Sequence, residues 1–181
     1  MILLPEKILD FWFKETPSTK WFDKDPSFDK KIRDLFLETY DAAKAGNIYS
    51  WKEGVDSYLA LVILFDQFPR NMFRGDGKAF ETDSLALKIA KKAIKKGLDK
   101  ELGAIERKFL YMPFMHSENL EDQRESVKLF SLMEDQETTK YAIQHANIIE
   151  KFSRFPHRNK ILKRQSSKEE ELFLKTPGSS F

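Results

Sequence analysis

The stretch Ser57-Tyr58-Leu59-Ala60-Leu61-Val62-Ile63-Leu64-Phe65 decides the fold class, because apolar side chains fill almost every position over about two and a half helical turns. A helix that is apolar on every side has to be enclosed by other elements. In the rest of the chain apolar residues recur at helical spacing, and only 7 Gly and 7 Pro interrupt the pattern. We therefore predict an all-α protein with residues 57–65 at the centre of its core.

Further helices are predicted from capping residues and from apolar periodicity. The clearest begins at Asp25-Pro26, where aspartate is a suitable N-cap, and ends at Gly46. Its predicted inward face consists of Phe28, Ile32, Leu35, Phe36 and Thr39. The remaining predicted helices cover residues 6–13, 83–96, 100–111, 119–134, 138–155 and 168–174. Because the links are short, we expect one domain, residues 1–181, of stacked antiparallel helical hairpins.

The helix predicted over residues 83–96 has a strongly basic face. Its inward positions are predicted to be Leu85, Ile89, Ala93 and Ile94. The outward positions are predicted to be Lys88, Lys91, Lys92, Lys95 and Lys96. Charged residues that repeat along one helix face usually contact solvent, so we assign this face to solvent and not to a ligand.

The composition excludes several classes of protein. The formal net charge of +2 provides no general attraction to nucleic acid or to anionic membranes. The absence of cysteine excludes disulfides, thiolate metal sites and thiol nucleophiles. No apolar run approaches the roughly 20 residues of a membrane helix, and the first residues do not resemble a signal peptide. We therefore predict a cytoplasmic protein of bacterial type that has no membrane partner.

Two short segments combine arginine, an amide and aromatic rings around a proline. They are Asp66-Gln67-Phe68-Pro69-Arg70-Asn71-Met72-Phe73-Arg74 and Phe152-Ser153-Arg154-Phe155-Pro156-His157-Arg158-Asn159. Proline is expected to break a helix, which exposes backbone groups and directs nearby polar side chains inward. Both segments are therefore candidates for a binding site.

These and other segments resemble a bacterial family known as the domain of unknown function 924. The likeness covers almost the whole chain. The matching segments are residues 8–13, 21–22, 66–75, 106–114, 116–118, 155–159 and 177–181. The resemblance implies a helical fold like that of tetratricopeptide repeats. It implies no activity or cofactor, so function has to be argued from side-chain chemistry.

The chain departs from the family pattern at two positions. Family members typically have a glycine directly before the Arg-Phe-Pro-His-Arg-Asn run, where this chain has Ser153. Lys163 likewise stands where the family usually has a glycine. Both departures concern the local backbone conformation.

The three histidines, His116, His145 and His157, all lie in the second half of the chain. His145 falls on the predicted inward stripe of its helix, which also contains Tyr141, Ile148, Ile149 and Phe152. One interpretation is a hydrogen-bonded or metal-binding cluster of the histidines with Glu118 or Asp122. The other, which we favour, is a core histidine bonded to a carbonyl or a carboxylate, because no pair of histidines has metal-binding helical spacing.

Glu118 and Asp122 lie four residues apart at the start of a predicted helix. Acidic residues in a first turn stabilise the positive end of the helix dipole, which gives both a structural role. In a functional role they are a general acid and base, or they pair with Arg107. The sequence does not show which carboxylate is buried.

Five arginines recur beside aromatic residues and prolines: Arg70, Arg74, Arg107, Arg154 and Arg158. Arginine is suited to bidentate pairing with carboxylates or phosphates. Pairing with acidic residues that locks helix ends together is the structural interpretation, and an anionic ligand is the functional one. Residues 151–164 carry six basic residues and no acidic residue, but the nearly neutral chain argues against nucleic-acid binding.

Our leading hypothesis is a binding or interaction protein with an internal polar pocket for a small anionic ligand or an acidic peptide terminus. The ligand-binding candidates are Asp66, Arg70, Arg74, Arg107, His145, Arg154, Arg158 and Asn159. The first alternative is an enzyme that uses His116 or His157 with Glu118 or Asp122, in one variant with a weakly bound metal. The second alternative is a scaffold that presents Trp12, Phe13, Trp21 and Phe22 to a protein partner. We assign no cofactor and no metal site.

Overall fold

A computed structural model describes residues 1–48 and 50–180 of the protein. Regular secondary structure in these residues is helical, without a strand, which confirms the predicted all-α class. Phe181, the last residue of the matching segments, lies outside the described residues. The chain forms two compact units: unit 1 comprises residues 1–74 and 78–113, and unit 2 comprises residues 75–77 and 114–181. The single domain and the tetratricopeptide-like arrangement stay predictions.

Unit 1 is built from helices that largely match the predicted ones. They are α1 (Pro5–Leu9), α2 (Pro26–Lys44), α3 (Val55–Val62), α4 (Phe68–Met72), α5 (Asp83–Lys95) and the part of α6 (Ala104–His116) that precedes residue 114. A π-helical segment, Asp10–Glu15, continues α1 directly. The helix predicted over residues 100–111 begins four residues later, because residues 98–101 form a separate 3-10 turn.

The core of unit 1 is rich in aromatic residues. Trp12, Phe68 and Phe109 are completely buried, and the ring centroids of Trp12 and Phe68 are 5.6 Å apart. The predicted central stretch lies here as well, since Leu59, Ile63 and Leu64 have no exposed surface. The structure thus confirms that residues 57–65 belong to the core.

The predicted N-cap of helix α2 is present, but its predicted inward face is only partly correct. The side chain of Asp25 accepts hydrogen bonds from the backbone N–H groups of Ser27 and Phe28, at 2.9 and 3.2 Å. This satisfies two donors that the first helical turn leaves without a partner. Of the predicted inward residues, Leu35 is 47% exposed and was therefore assigned to the wrong face.

Pro69 does not break its helix, so the prediction for the first proline-containing segment was wrong. The chain stays helical from α3 to α4 because residues Ile63–Gln67 form a π-helical turn directly before the proline. In this turn the N–H of Phe68 donates to the carbonyl of Ile63, five residues back. The wider turn accommodates a residue that lacks an N–H group and carries a ring. Asp66 consequently points into the core and has no exposed surface.

Helix α5 buries only part of its predicted inward face, while its five lysines are exposed as predicted. Ala86, Ala90 and Ala93 are buried, whereas Leu85 is 37% exposed. Helix α5 contacts α3, and small side chains let two helices approach closely. The buried alanines are consistent with such a close approach.

Unit 2 contains the end of α6, then α7 (Leu120–Ser131), α8 (Gln136–Phe152) and α9 (Lys168–Phe173), with a 3-10 turn at Pro156–Arg158. Helices α7 and α8 pack against each other. Helix α8 ends before Pro156, as predicted for the second proline-containing segment. The predicted capping box of α9 is present, because Ser167 and Glu170 bond to each other's backbone N–H groups.

Ser153 and Lys163 both adopt left-handed backbone conformations, with φ of 56° and 54°. Ser153 forms the C-terminal cap of α8, and its N–H donates to the carbonyl of Ile149 at 2.8 Å. A Cβ atom is unfavourable in this region because it approaches a backbone carbonyl oxygen, whereas glycine adopts the conformation freely. The two departures from the family pattern thus fall where the backbone conformation favours glycine.

We expect Ser153→Gly and Lys163→Gly each to raise the free energy of unfolding by about 0.5–1 kcal/mol, because glycine removes the strain at positive φ. Urea unfolding of the single variants measures this effect. The control is Lys140→Gly, which places glycine at an exposed position inside the regular helix α8. That change should lower stability by about 0.5–1 kcal/mol. Loss of stability in Ser153→Gly would show that the backbone is not strained.

Candidate functional site

Two of the three histidines of the chain contact one buried phenylalanine in unit 2, and the third lies beside one of them. His116 is the last residue of α6, and His145 lies in α8 on the buried side. Phe155 follows the left-handed turn at Ser153, and His157 and Arg158 belong to the next 3-10 turn. We call His116, His145, Phe155, His157 and Arg158 the histidine–arginine cluster.

Ring distances define this cluster. The ring centroids of His116 and His145 are 6.4 Å apart, and those of His145 and Phe155 are 5.5 Å apart. The rings of Phe155 and His157 are separated by 5.6 Å, and the guanidinium carbon of Arg158 lies 4.6 Å from the Phe155 centroid. Phe155 is completely buried, and Arg158 is 7% exposed. The three imidazole rings therefore lie close together, as the interpretation of a histidine cluster requires.

His145 is held in one tautomer. Its Nδ1 lies 2.7 Å from the backbone carbonyl oxygen of Tyr141. A carbonyl oxygen only accepts hydrogen bonds, so Nδ1 carries the proton and Nε2 carries the lone pair. Tyr141 itself is 48% exposed, so the prediction that its side chain points inward was wrong.

Burial controls the charge of His145. Desolvation is the main cause that lowers its pKa from the usual 6.5 to about 3; nearby His116, Arg158 and His157 act in the same direction, and the bond to Tyr141 opposes them. His145 is therefore a neutral imidazole at pH 7. The preferred interpretation of His145 as a core histidine bonded to a carbonyl agrees with this geometry.

Glu118 joins the segments that surround the cluster. Its two carboxylate oxygens accept hydrogen bonds from Arg164 Nη1 and Nη2 at 2.7 and 2.9 Å. The same carboxylate accepts the backbone N–H of Phe155 at 2.8 Å. Burial alone raises the pKa of Glu118, but these bonds outweigh it, and the pKa lies below the usual value. Glu118 is therefore ionised at neutral pH.

Asp122 has a capping role at the start of α7. Its backbone N–H donates to the side chain of Asn119 at 3.2 Å, and its carboxylate accepts the Ser117 hydroxyl at 2.8 Å. Asn119 is thus the N-cap residue, and Asp122 lies in the first turn. The predicted interaction of first-turn acidic residues with the helix dipole applies to Asp122.

Arg154 and Asn159 bind the C-terminal segment of unit 2. Arg154 donates to both carboxylate oxygens of Glu170, at 2.6 and 2.8 Å. The amide of Asn159 donates to the hydroxyl of Ser166 at 3.0 Å. The bond from Arg154 is the largest of the causes that lower the pKa of Glu170 to about 2. Both residues thus attach the segment that contains the start of α9 to the region after α8.

The first proline-containing segment lies in unit 1. Arg70 forms a bidentate pair with Asp83, at 3.0 and 3.2 Å, and its Nη1 lies 3.5 Å from Asp66. Gln67 donates to the Asp66 carboxylate at 2.5 Å. These contacts link α4, the π-helical turn and the start of α5, which agrees with the structural interpretation of Arg70.

Arg74 and Arg107 also bind groups within unit 1. Arg74 donates to both carboxylate oxygens of Asp29, at 2.6 and 2.8 Å. Arg107 donates to the backbone carbonyls of Asp99 and Leu102, both at 2.8 Å. Arg107 thus fastens the 3-10 turn at residues 98–101 to α6.

The sequence-predicted residues therefore form separate groups. His145 and Arg158 share the cluster with the catalytic candidates His116 and His157 in unit 2. Asp66, Arg70, Arg74 and Arg107 belong to unit 1. Arg164 was missed as a site residue. It lies 46 residues from its partner Glu118, and no local pattern indicates that pairing.

The aromatic residues of the scaffold hypothesis differ in exposure. Trp12 is completely buried, Phe13 and Trp21 are partly buried, and Phe22 is 64% exposed. The rings of Trp21 and Phe109 pack edge to face, with centroids 4.9 Å apart. Most of this aromatic surface therefore packs inside unit 1.

In residues 1–48 and 50–180, no helix has the length and apolar character that crossing a membrane requires. The same residues contain no group of three His, Cys, Asp or Glu side chains placed to hold a metal ion.

Comparison with known proteins identifies the family. The curated proteins contain no match to this sequence. A similar solved structure is described as a protein of unknown function, ATU0120, from Agrobacterium tumefaciens. It shares 41% sequence identity with this chain, and the match covers 94% of this chain and 96% of that chain with a TM-score of 0.89. Residues 8–178 match the family described as bacterial protein of unknown function, DUF924. The chain therefore belongs to the DUF924 family.

Proposed function

We propose that this protein is a binding protein for a small anionic ligand and that unit 2 holds the ligand at the histidine–arginine cluster. The observation that carries the proposal is the grouping of His145, His157 and Arg158 around Phe155, with the His116 ring 6.4 Å from that of His145. Imidazole and guanidinium N–H groups are the side-chain donors that proteins commonly use for carboxylate and phosphate groups.

Burial supports a small ligand and argues against an acidic peptide terminus. Arg158 and His145 are 7% and 6% exposed, so a folded partner protein has little surface of either residue to contact. A small anion requires less rearrangement to reach them. The guanidinium carbon of Arg158 lies 4.6 Å from the Phe155 centroid, within the range of a cation–π contact.

The contacts of three other arginines argue against a ligand at those residues. Arg70, Arg74 and Arg154 form bidentate pairs with carboxylates of their own unit. A ligand at any of them has to displace an internal carboxylate. Glu118, which the enzyme hypothesis uses as a partner for histidine, is bound to Arg164 and stays ionised. These contacts favour binding over acid–base catalysis.

Isothermal titration with sodium sulfate tests the proposal, with sodium chloride at equal ionic strength as the reference. We expect saturable sulfate binding to the wild-type protein and at least a tenfold loss of affinity in Arg158→Gln, because a buried charge-assisted contact is removed. The matched control is Arg124→Gln, which removes the same charge from an exposed pair with Glu121. Absence of saturable binding, or equal loss in both variants, would refute the proposed site.

A further inference from the structure

We infer that unit 1 holds a second binding site, for a small zwitterion with an apolar side chain, such as a free aliphatic amino acid. The site is an open pocket of about 260 Å³, lined by the end of the π-helical segment Asp10–Glu15, the residues that follow it and the first turns of α2. Pockets for drug-sized molecules have about 300–1,000 Å³, so this one suits a smaller ligand. It uses no residue of the histidine–arginine cluster and therefore goes beyond the proposed function.

Part of the pocket lining is apolar. Phe28 lines the pocket, and its ring stacks on that of Phe11, with centroids 6.1 Å apart and an angle of 10° between the ring planes. Thr16 also lines the pocket, and its hydroxyl donates to the carbonyl of Phe11 at 2.7 Å, so its O–H group is already bonded. These side chains provide an apolar surface for the aliphatic part of a ligand.

Two of the four charged side chains in the lining neutralise each other. The charged lining residues are Glu15, Lys20, Asp25 and Lys31. The ammonium group of Lys20 lies 2.9 Å from the carboxylate of Asp25, which also caps α2. Glu15 and Lys31 form no ion pair with each other or with any other residue that the structure describes. One carboxylate and one ammonium group of the pocket are thus available to a ligand.

Two opposite charges that line one pocket without pairing select a zwitterion. The Nζ of Lys31 lies 5.1 Å from the centroid of the Phe11 ring, a cation–π contact that keeps the ammonium group beside the stacked aromatic pair. The carboxylate of an amino acid pairs with Lys31 and its ammonium group with Glu15, while its side chain packs against Phe28. A simple anion or a simple cation pairs with only one of the two residues.

An NMR titration of the full chain with L-leucine tests this site through the backbone amide signals of Thr16 and Phe28. Two matched probes each lack one charge: 4-methylpentanoate has no ammonium group, and 3-methylbutylamine has no carboxylate. We expect saturable shifts with L-leucine and about fivefold weaker binding of each single-charge probe, because each loses one partly solvated ion pair. Absence of saturable shifts with L-leucine, or equal affinity for 4-methylpentanoate, would overturn the inference.

Substitutions assign the two charges. Lys31→Gln should weaken L-leucine binding about fivefold and leave 3-methylbutylamine binding unchanged, and Glu15→Gln should weaken L-leucine binding similarly and leave 4-methylpentanoate binding unchanged. The control is Lys30→Gln, which removes the same charge from an exposed pair with Asp34 on the same helix and should bind like the wild-type protein. Equal losses in Lys30→Gln and Lys31→Gln would contradict the site. Sulfate binding to Arg158→Gln is measured separately, so either site can fail without the other.

Discussion

Glu118→Gln should lower the free energy of unfolding by about 2–3 kcal/mol, a large effect for one nearly isosteric change. The substitution removes the negative charge that holds Arg164 in a bidentate pair and accepts the N–H of Phe155. Arg164 is then left partly buried beside a neutral amide. The side chains of Glu118 and Arg164 are 28% and 24% exposed, so solvent replaces only part of the lost interaction.

Urea unfolding at pH 7 measures the effect of Glu118→Gln. In a double-mutant cycle with Arg164→Gln, the two changes should cost clearly less together than the sum of the single changes, because each removes the same interaction. The control is Glu121→Gln, whose partner Arg124 is 62% exposed, and it should change stability by less than about 0.5 kcal/mol. Additive losses in the cycle would mean that Glu118 and Arg164 do not form this pair in solution.

The second large effect is a loss of unfolding free energy at acidic pH. His145 has a pKa of about 3 in the folded protein and 6.5 when it is unperturbed, so the unfolded chain binds a proton that the folded protein rejects. Stability is therefore fully present above pH 6.5 and declines as the pH falls towards 3. Between pH 7 and pH 5 this single group should cost about 2 kcal/mol of unfolding free energy. Carboxylates with lowered pKa values, such as Glu170, contribute only at lower pH, because their unfolded pKa is 4.5.

His145→Asn should abolish most of this difference between pH 7 and pH 5, since asparagine does not titrate. The comparison is made by urea unfolding in chloride buffers without sulfate. Ile148→Val is the control, because it removes a methyl group from a buried position of the same helix. It should cost about 1 kcal/mol equally at both pH values. An unchanged pH dependence in His145→Asn would show that His145 is not held neutral in the folded protein.

Local signals explain which parts of the fold were predicted correctly. The N-cap at Asp25 and the capping box at Ser167 act within a few residues of the chain, and both are present. The apolar periodicity of α8 placed His145 on the buried side, where the structure has it at 6% exposure. These features depend on short-range geometry, which the order of residues determines.

Features that depend on packing between distant segments could not be predicted. The π-helical turn before Pro69 keeps a helix continuous where a lone proline predicts a break. The buried alanines of α5 follow from its close contact with α3 and not from hydrophobicity along the helix. The Glu118–Arg164 pair joins residues 46 positions apart, and many other acidic residues were equally plausible partners from the sequence.

The ring signals of the three histidines offer the most direct test of anion binding at the cluster. All histidines of the chain lie in this cluster, so each carbon-bound imidazole proton reports on it in an NMR titration. With sulfate at constant ionic strength, the signals should shift together and saturate in the wild-type protein and in Arg124→Gln, but not in Arg158→Gln. Signals that stay at their chloride positions throughout the sulfate titration would contradict anion binding at the histidine–arginine cluster.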